Sequence, residues 1–178
     1  MENLELVIPE EEFRKDYLAY IKEVLEIDKK IIPYALYCGI EDYNKAFDML
    51  LGQKERVIPE GKVPSTCYFL VNKGEKRILG SLDIRHYLNE GLLIRGGHIG
   101  YGVRPSERRK GLGTKMLFLG LEKARKIGIE KALITCSKDN AGSRNVIIGS
   151  GGVLENEMEY EGERILRFWI DTAIKQNI

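Results

Sequence analysis

The chain has 178 residues, 43% of them hydrophobic and 31% charged, with a formal net charge of +1 at pH 7. That length suffices for one domain with a sizeable buried core, and the composition is that of a globular protein rather than a disordered or collagen-like one. No apolar run approaches the roughly 20 residues of a bilayer span, and the small net charge gives no global pull towards nucleic acid.

Leu4 to Ile8 alternates weakly and reads as a first strand. Residues 10–28 place Phe13, Tyr17, Tyr20, Ile21, Val24 and Leu25 at helical spacing, which makes one buried stripe. Pro33 ends that pattern. A second helix is predicted from Asp42 to Lys54, and residues 57–65, with Pro59, Gly61 and Pro64, read as a loop. From Thr66 the period changes. Thr66 to Val71 is rich in strand formers and stops at the turn signal Asn72-Lys73-Gly74, so it pairs as a hairpin with a strand over Arg77–Leu88.

Residues 89–97 are read as a connection, and His98–Arg104 as a third strand ended by Pro105. A helix is predicted over Ser106–Gly128, with Leu117, Gly120, Leu121 and Ala124 on its buried face. Lys131–Ser137 is a short strand, and Asn140 to about Ser150 a helix stopped by Gly151-Gly152. Val153–Tyr160 and Arg164–Asp171 form a last hairpin around Glu161-Gly162. The order predicts an α/β fold, an α+β mixed sheet with helices on both faces and a parallel pair at the unit 98–137.

Met1-Glu2-Asn3-Leu4-Glu5 has no basic segment running into an apolar one, so no secretory leader is expected. Cys38, Cys67 and Cys136 are odd in number and far apart, against a disulfide framework or a C-x-x-C metal site. No metal is expected, no membrane contact, and the compartment expected is the cytoplasm. Charge is unevenly spread. Residues 1–60 hold 14 acidic and 8 basic side chains, and residues 104–131 hold 9 basic and 3 acidic.

The basic cluster surrounds Arg108-Arg109-Lys110-Gly111-Leu112-Gly113-Thr114, between a strand and a helix. A helix start carries four backbone N–H groups without intrahelical acceptors and a positive dipole end. Glycine lets a phosphate approach them closely, arginine and lysine add charge-assisted bonds, and Thr114 offers a hydroxyl. An ordinary helix start with tightly packed glycines would look the same, so the turn alone weighs about evenly between the two readings. Neither a G-x-x-x-x-G-K-[ST] loop nor a G-x-G-x-x-G opening a first βαβ unit is present.

His98-Ile-Gly-Tyr-Gly-Val-Arg-Pro-Ser-Glu-Arg-Arg-Lys-Gly-Leu-Gly-Thr114 resembles the acyl-CoA-binding signature of the GNAT superfamily of N-acyltransferases, Q/R-x-x-G-x-G/A. Arg108, Gly111 and Gly113 take its three defining positions, and Asn140-Ala-Gly-Ser143 followed by Gly151-Gly152 resembles the family's downstream N-x-x-S…G pattern. Ile84–Asn89 and Gly96–Tyr101 resemble a bacterial branch of predicted acetyltransferases.

The resemblance implies a central twisted sheet of about seven strands flanked by about four helices. It implies one acyltransferase domain over 1–178, with 1–60 shaping the acceptor side and 61–171 the core. Acetyl-CoA would be the cosubstrate, its pyrophosphate on the amides of Arg109, Lys110, Gly111, Leu112, Gly113 and Thr114. Its pantetheine would run along the strand at Tyr101 and Val103. An N–H near Tyr101 would polarise the thioester carbonyl, and Asn140 and Ser143 would touch the pantetheine or the sulfur.

For proton transfer, His98 is the first candidate base; a backbone-satisfied structural histidine is the competing reading. Arg85, His86 and Asn89 are expected to line the acceptor pocket, with Asp83 a further candidate base. Many members carry a tyrosine seven residues after the asparagine as general acid; here that residue is Ile147. Ser143, a water or another tyrosine, Tyr160 or Tyr101, would then serve the sulfur, or the thiolate leaves unassisted. Cys136 can be read as a covalent nucleophile or as a small apolar core residue.

The expected acceptor is a small-molecule or protein amine, with a weak indication from the acidic helices that it is cationic. The alternative is a non-catalytic acyl-CoA-binding domain of the same fold. A nucleic-acid role is disfavoured, since the basic cluster lacks interleaved aromatics. A homodimer through the final strands or helices is one assembly open to such a chain.

Overall fold

The computed structural model describes residues 3–55 and 57–173. Among the described residues seven strands form two antiparallel sheets. In the first, β1 (Leu4–Val7), β2 (Ser65–Asn72), β3 (Gly80–Arg85) and β4 (Ile99–Val103) follow in chain order. In the second, β7 (Glu163–Asp171) lies between β5 (Lys131–Ser137) and β6 (Val153–Tyr160). Five α-helices accompany them: α1 (Arg14–Ile27), α2 (Tyr43–Leu51), α3 (Glu90–Ile94), α4 (Leu112–Lys126) and α5 (Ala141–Gly149).

Two apolar clusters cover the first sheet. Tyr17, Tyr20, Ile21 and Val24 of α1 and Phe47 of α2 pack with Cys67, Phe69 and Val71 of β2. Met116, Leu117, Leu121 and Ala124 of α4 pack with Leu70, Leu82, Ile84 and Ile99, and with Ile134 and Phe168 of the second sheet. The alternation along β2 therefore sends odd positions to one cluster and even positions to the other. Asp42 caps α2 by accepting from the N–H of Asn44 and Lys45, and Asn140 caps α5 by accepting from Ser143, as such residues do at helix starts.

Arg104 is 4% exposed. Its guanidinium donates to Asp16 (2.9 Å) and Glu23 (2.7 Å), which ties α1 to the end of β4.

Three departures from the sequence reading have physical causes. First, α4 begins at Leu112, not Ser106, because Arg109 (φ 64°) and Gly111 (φ 74°) adopt left-handed backbone that no right-handed helix can contain. Second, α3 interrupts the connection 89–97; it is five residues long and started by the Asn89 side chain, which accepts from Leu92. Third, the expected parallel ladder across 98–137 is absent. Both ladders of the second sheet join β7, and β5 touches the first sheet through one bridge, Gly97 to Ile134, and the bond from the His98 N–H to Leu133 O (2.7 Å).

Candidate active site

Beyond Gly97 and His98 the two sheets part, and the space between β4 and β5 is the centre of a cavity of about 980 Å³. β4 presents backbone to that space. Arg85 donates to His98 O and Arg104 to Leu79 O (2.8 and 2.9 Å), so the residues bonded to β3 are the even-numbered ones. By the alternation of an antiparallel pair, the N–H and C=O groups of Ile99, Tyr101 and Val103 point the other way, towards β5. The Val103 carbonyl accepts from Arg108 Nε at 3.2 Å.

At the far end of the same cavity stands the start of α4. Its first intrahelical bond within the turn is donated by Lys115 to Gly111 O (3.3 Å). The N–H groups of Leu112, Gly113 and Thr114 precede it and are the donors a helix start leaves without intrahelical acceptors. A Cβ on Gly111 would meet nothing within 4 Å, so that side is open to a ligand. A Cβ on Gly113 would lie 3.0 Å from the Val146 side chain of α5, so a larger residue there would crowd the approach of the two helices.

The structure brings most of the sequence candidates together. Tyr101, Val103, Arg108, Arg109, Gly111 to Thr114, Asn140 and Ser143 all line this cavity. Lys110 lies outside the lining, with its ammonium 2.7 Å from Glu107. Arg108 is held by both oxygens of Asp28 at the end of α1, which keeps its guanidinium above the usual arginine range. The Tyr101 hydroxyl is 3.0 Å from Ser143 Oγ and donates to the Ser143 carbonyl at 3.3 Å. Burial pushes its pKa up to about 12, against the pull of the Ser143 bond and with a small push from Cys136. Burial also raises the Cys136 thiol, which Arg144 and Ser143 partly offset. A raised thiol is a poorer nucleophile at neutral pH.

His98 is elsewhere. It is 9% exposed and lies outside the lining of the cleft; its Nδ1 accepts from the Leu133 N–H at 2.9 Å and its ring faces Trp169 at 6.3 Å. Burial, with Arg85 adding to it, lowers its pKa. The accepting Nδ1 requires the proton on Nε2, so the ring is a neutral strut that joins the two sheets where they last touch. The sequence reading offered this role beside the catalytic one.

A second cavity, of about 550 Å³, adjoins the first and shares Tyr34, Arg85, Arg95 and Gly96 with it. Asp83, Arg85 and Asn89 line it; His86 does not, being exposed on the other side with its ring 2.9 Å from Thr66 Oγ1. Tyr34, Lys62 and Arg95 were invisible as site residues in the sequence. They come from a turn, a loop and the end of α3, and only tertiary folding sets them beside β3. Among the described residues no group of His, Cys, Asp and Glu is set to hold a metal, and no helix is long and apolar enough to cross a membrane.

A model of the acetyltransferase (GNAT) family matches residues 16–147. No curated protein sequence matches the chain. Solved structures share its fold. The Microcin C7 self-immunity acetyltransferase MccE, in complex with acetyl-CoA and AMP, is 16% identical, with 96% of this chain and 93% of that one covered and a TM-score of 0.65. RimL, a ribosomal L7/L12 α-N-protein acetyltransferase in complex with CoA, is 17% identical over 96% and 95% of the two chains, at a TM-score of 0.69. The dodecameric spermidine N-acetyltransferase from Vibrio cholerae is 14% identical over 99% and 98%, also at 0.69.

Proposed function

This chain belongs to the GNAT acetyltransferase family, and from that premise we propose that it moves an acetyl group from acetyl-CoA to a primary amine by direct attack. The observation that carries the reading is the parting of β4 from β5. It exposes strand backbone at Tyr101 and Val103 in the same cavity as the unpaired N–H groups of the α4 start.

In this reading the pyrophosphate sits on the amides of Gly111 to Thr114, where the helix dipole and the absence of a side chain at Gly111 favour it. Arg109, exposed beside the turn, adds charge. Arg108 acts indirectly, by clamping Asp28 and the Val103 carbonyl. The pantetheine lies along β4 as an added strand. The Tyr101 N–H polarises the thioester carbonyl and stabilises the oxyanion that forms on it.

The neutral amine attacks that carbonyl, the C–N bond forms and the C–S bond breaks. The Tyr101 hydroxyl, accepting from Ser143 Oγ, turns its one proton from the Ser143 carbonyl to the departing sulfur, and a proton released by the nitrogen ends on the sulfur. This assigns to Tyr101 the work that a tyrosine from the following helix does in many members; here that position holds Ile147, which is fully buried. With His98 engaged by Leu133, the base is Asp83 or water in the second cavity, on the acceptor side formed largely by residues 34–63. RimL and the spermidine enzyme act on a protein and a small-molecule amine respectively, so an amine acceptor is the common chemistry.

Thermal unfolding with and without acetyl-CoA tests the reading, with NADH and ATP as controls. A ligand at 100 times its Kd adds about 2.7 kcal/mol, or roughly 5–10 °C for a chain of this length. A shift with acetyl-CoA alone supports it. No shift at millimolar acetyl-CoA, with the protein folded, contradicts it. Stabilisation without release of CoA from any amine would favour the second reading, a binding domain, which the buried Ile147 also suits.

A further inference from the structure

The charge of the second cavity indicates what kind of amine it accepts. Lys62, Arg85 and Arg95 line it against one carboxylate, Asp83. Arg95 is shared with Glu163 at 2.7 Å. The acidic excess of residues 1–60 does not reach this cavity. Asp16 and Glu23 are bound to Arg104, Asp28 to Arg108, and Glu11 and Asp48 to Arg14. Arg85 faces Asp83 and Arg95 faces Glu163 and Glu161, so the lining keeps only a small positive excess through Lys62, and no acid of residues 1–60 lines it to hold a cationic acceptor.

Arg85 is one of the four residues that line both cavities. Its side chain is 15% exposed. Nη1 donates to the carbonyls of Gly96 and Gly97, both at 3.1 Å, and Nε lies 3.7 Å from Asp83 Oδ2. These contacts hold the guanidinium in place and leave Nη2 directed at β4, 3.4 Å from the Cβ position of Gly100. Gly100 precedes Tyr101, the residue whose N–H is proposed to hold the thioester carbonyl. A fixed guanidinium at that point repels a nearby ammonium chain and binds a carboxylate through its remaining donors.

We propose that the acceptor is a small primary amine with a carboxylate on the adjacent carbon, an α-amino acid with an apolar side chain. Arg85 holds the carboxylate and Leu50, Ile58 and Leu92 receive the side chain. The proposal rests on the acetyl-transfer reading and names its substrate class. The balance is simple. The amino acid's ammonium gives one proton to solvent and becomes nucleophilic. Its nitrogen forms the amide bond as the C–S bond breaks, and the second proton it sheds ends on the CoA sulfur. The products are an N-acetyl amino acid and free CoA.

The test is free-CoA release at saturating acetyl-CoA with L-leucine, L-methionine and L-phenylalanine, against the α-amide of each and against spermidine. The expected result is a kcat/KM for the free acids at least about tenfold above the amides, one charge-assisted contact's worth, and spermidine slower than both. In Arg85→Gln the acid-to-amide ratio falls towards one, while Arg85→Lys keeps part of it. The stabilisation by acetyl-CoA stays as in the unmodified protein. Amides or spermidine used as well as the acids would overturn the proposal. So would an unchanged ratio in Arg85→Gln, or no acid consumed by a protein that acetyl-CoA stabilises. The acid–amide comparison is made on the unmodified protein, so it decides even where a variant does not fold. Absence of stabilisation by acetyl-CoA is a different result: it removes the transferase reading, and this proposal with it.

Discussion

Replacing Tyr101 with phenylalanine removes one oxygen and leaves the strand, its N–H and the ring in place. Two consequences can be worked from the contact with Ser143, 3.0 Å to Oγ. For stability, the loss is one neutral hydrogen bond at a half-buried site, about 1 kcal/mol, which lowers Tm by roughly 2–4 °C. For catalysis, a hydrogen bond to a departing thiolate is one to a charged acceptor, about 1.5–3 kcal/mol. At about 1.4 kcal/mol per tenfold, kcat falls roughly 10- to 150-fold. KM for acetyl-CoA stays put, since the bond strengthens only as the sulfur leaves. Because burial pushes the hydroxyl up to about 12, it remains protonated at assay pH, and the ratio of rates is flat from about pH 6 to about pH 10. Steady-state CoA release on both proteins, with a melting curve, measures all of this. A variant that loses the stability but keeps kcat within a factor of about two would refute the role of the hydroxyl and leave position 101 only its backbone N–H.

Three further outcomes can be checked by unfolding alone. His98 has a lowered pKa and accepts from Leu133 through Nδ1; its contribution is complete above the unfolded value of 6.5 and is lost as pH falls through the folded value. Tm should therefore fall on acidification below about pH 6.5, with a shallower slope in His98→Gln; identical slopes would contradict the strut. Arg104→Met leaves Asp16 and Glu23 without their shared cation. It should cost towards the lower end of about 3–5 kcal/mol, because those carboxylates are 25% and 21% exposed; a loss under about 1 kcal/mol in urea unfolding would show that the cluster does not tie α1 to β4. Gly102→Ala puts a Cβ 2.4 Å from the Ile32 carbonyl, so about 1–3 kcal/mol is expected from forced movement of backbone. Full stability in that variant would mean that the segment at Ile32 is not packed on β4.

The parts legible in the sequence were those governed by local pattern. The stripe Phe13–Val24 gave α1, Lys131–Ser137 matched its strand to the residue, and Asn140 read as a helix start because its side chain does its capping locally. The glycine turn was legible too, but not its geometry. Left-handed backbone at Arg109 and Gly111 delays α4 by six residues, and an arginine carries no sequence mark of a positive φ. What failed was long-range. β5 pairs with β7, some 30 residues downstream, and its other edge parts from β4 beyond one bridge, a long-range arrangement that no local pattern marks. Arg108 reads as part of a phosphate turn; that its guanidinium meets Asp28, 80 residues away, shows only in the folded chain. His98 reads as a base or as a structural histidine, and that its Nδ1 accepts from Leu133 shows only in the folded chain. Side-chain type names a chemistry; the partner that occupies the side chain decides whether that chemistry is available.

The most direct test of the account is amide hydrogen exchange of the whole chain with and without saturating acetyl-CoA. Slower exchange is expected at Tyr101 and Val103, whose N–H groups face the parted strands, and at Gly111 to Thr114, whose donors would hold phosphate oxygens, with no change along β6. Protection confined to other segments, or none at these amides while acetyl-CoA is bound, would contradict the placement of the cosubstrate between β4 and β5.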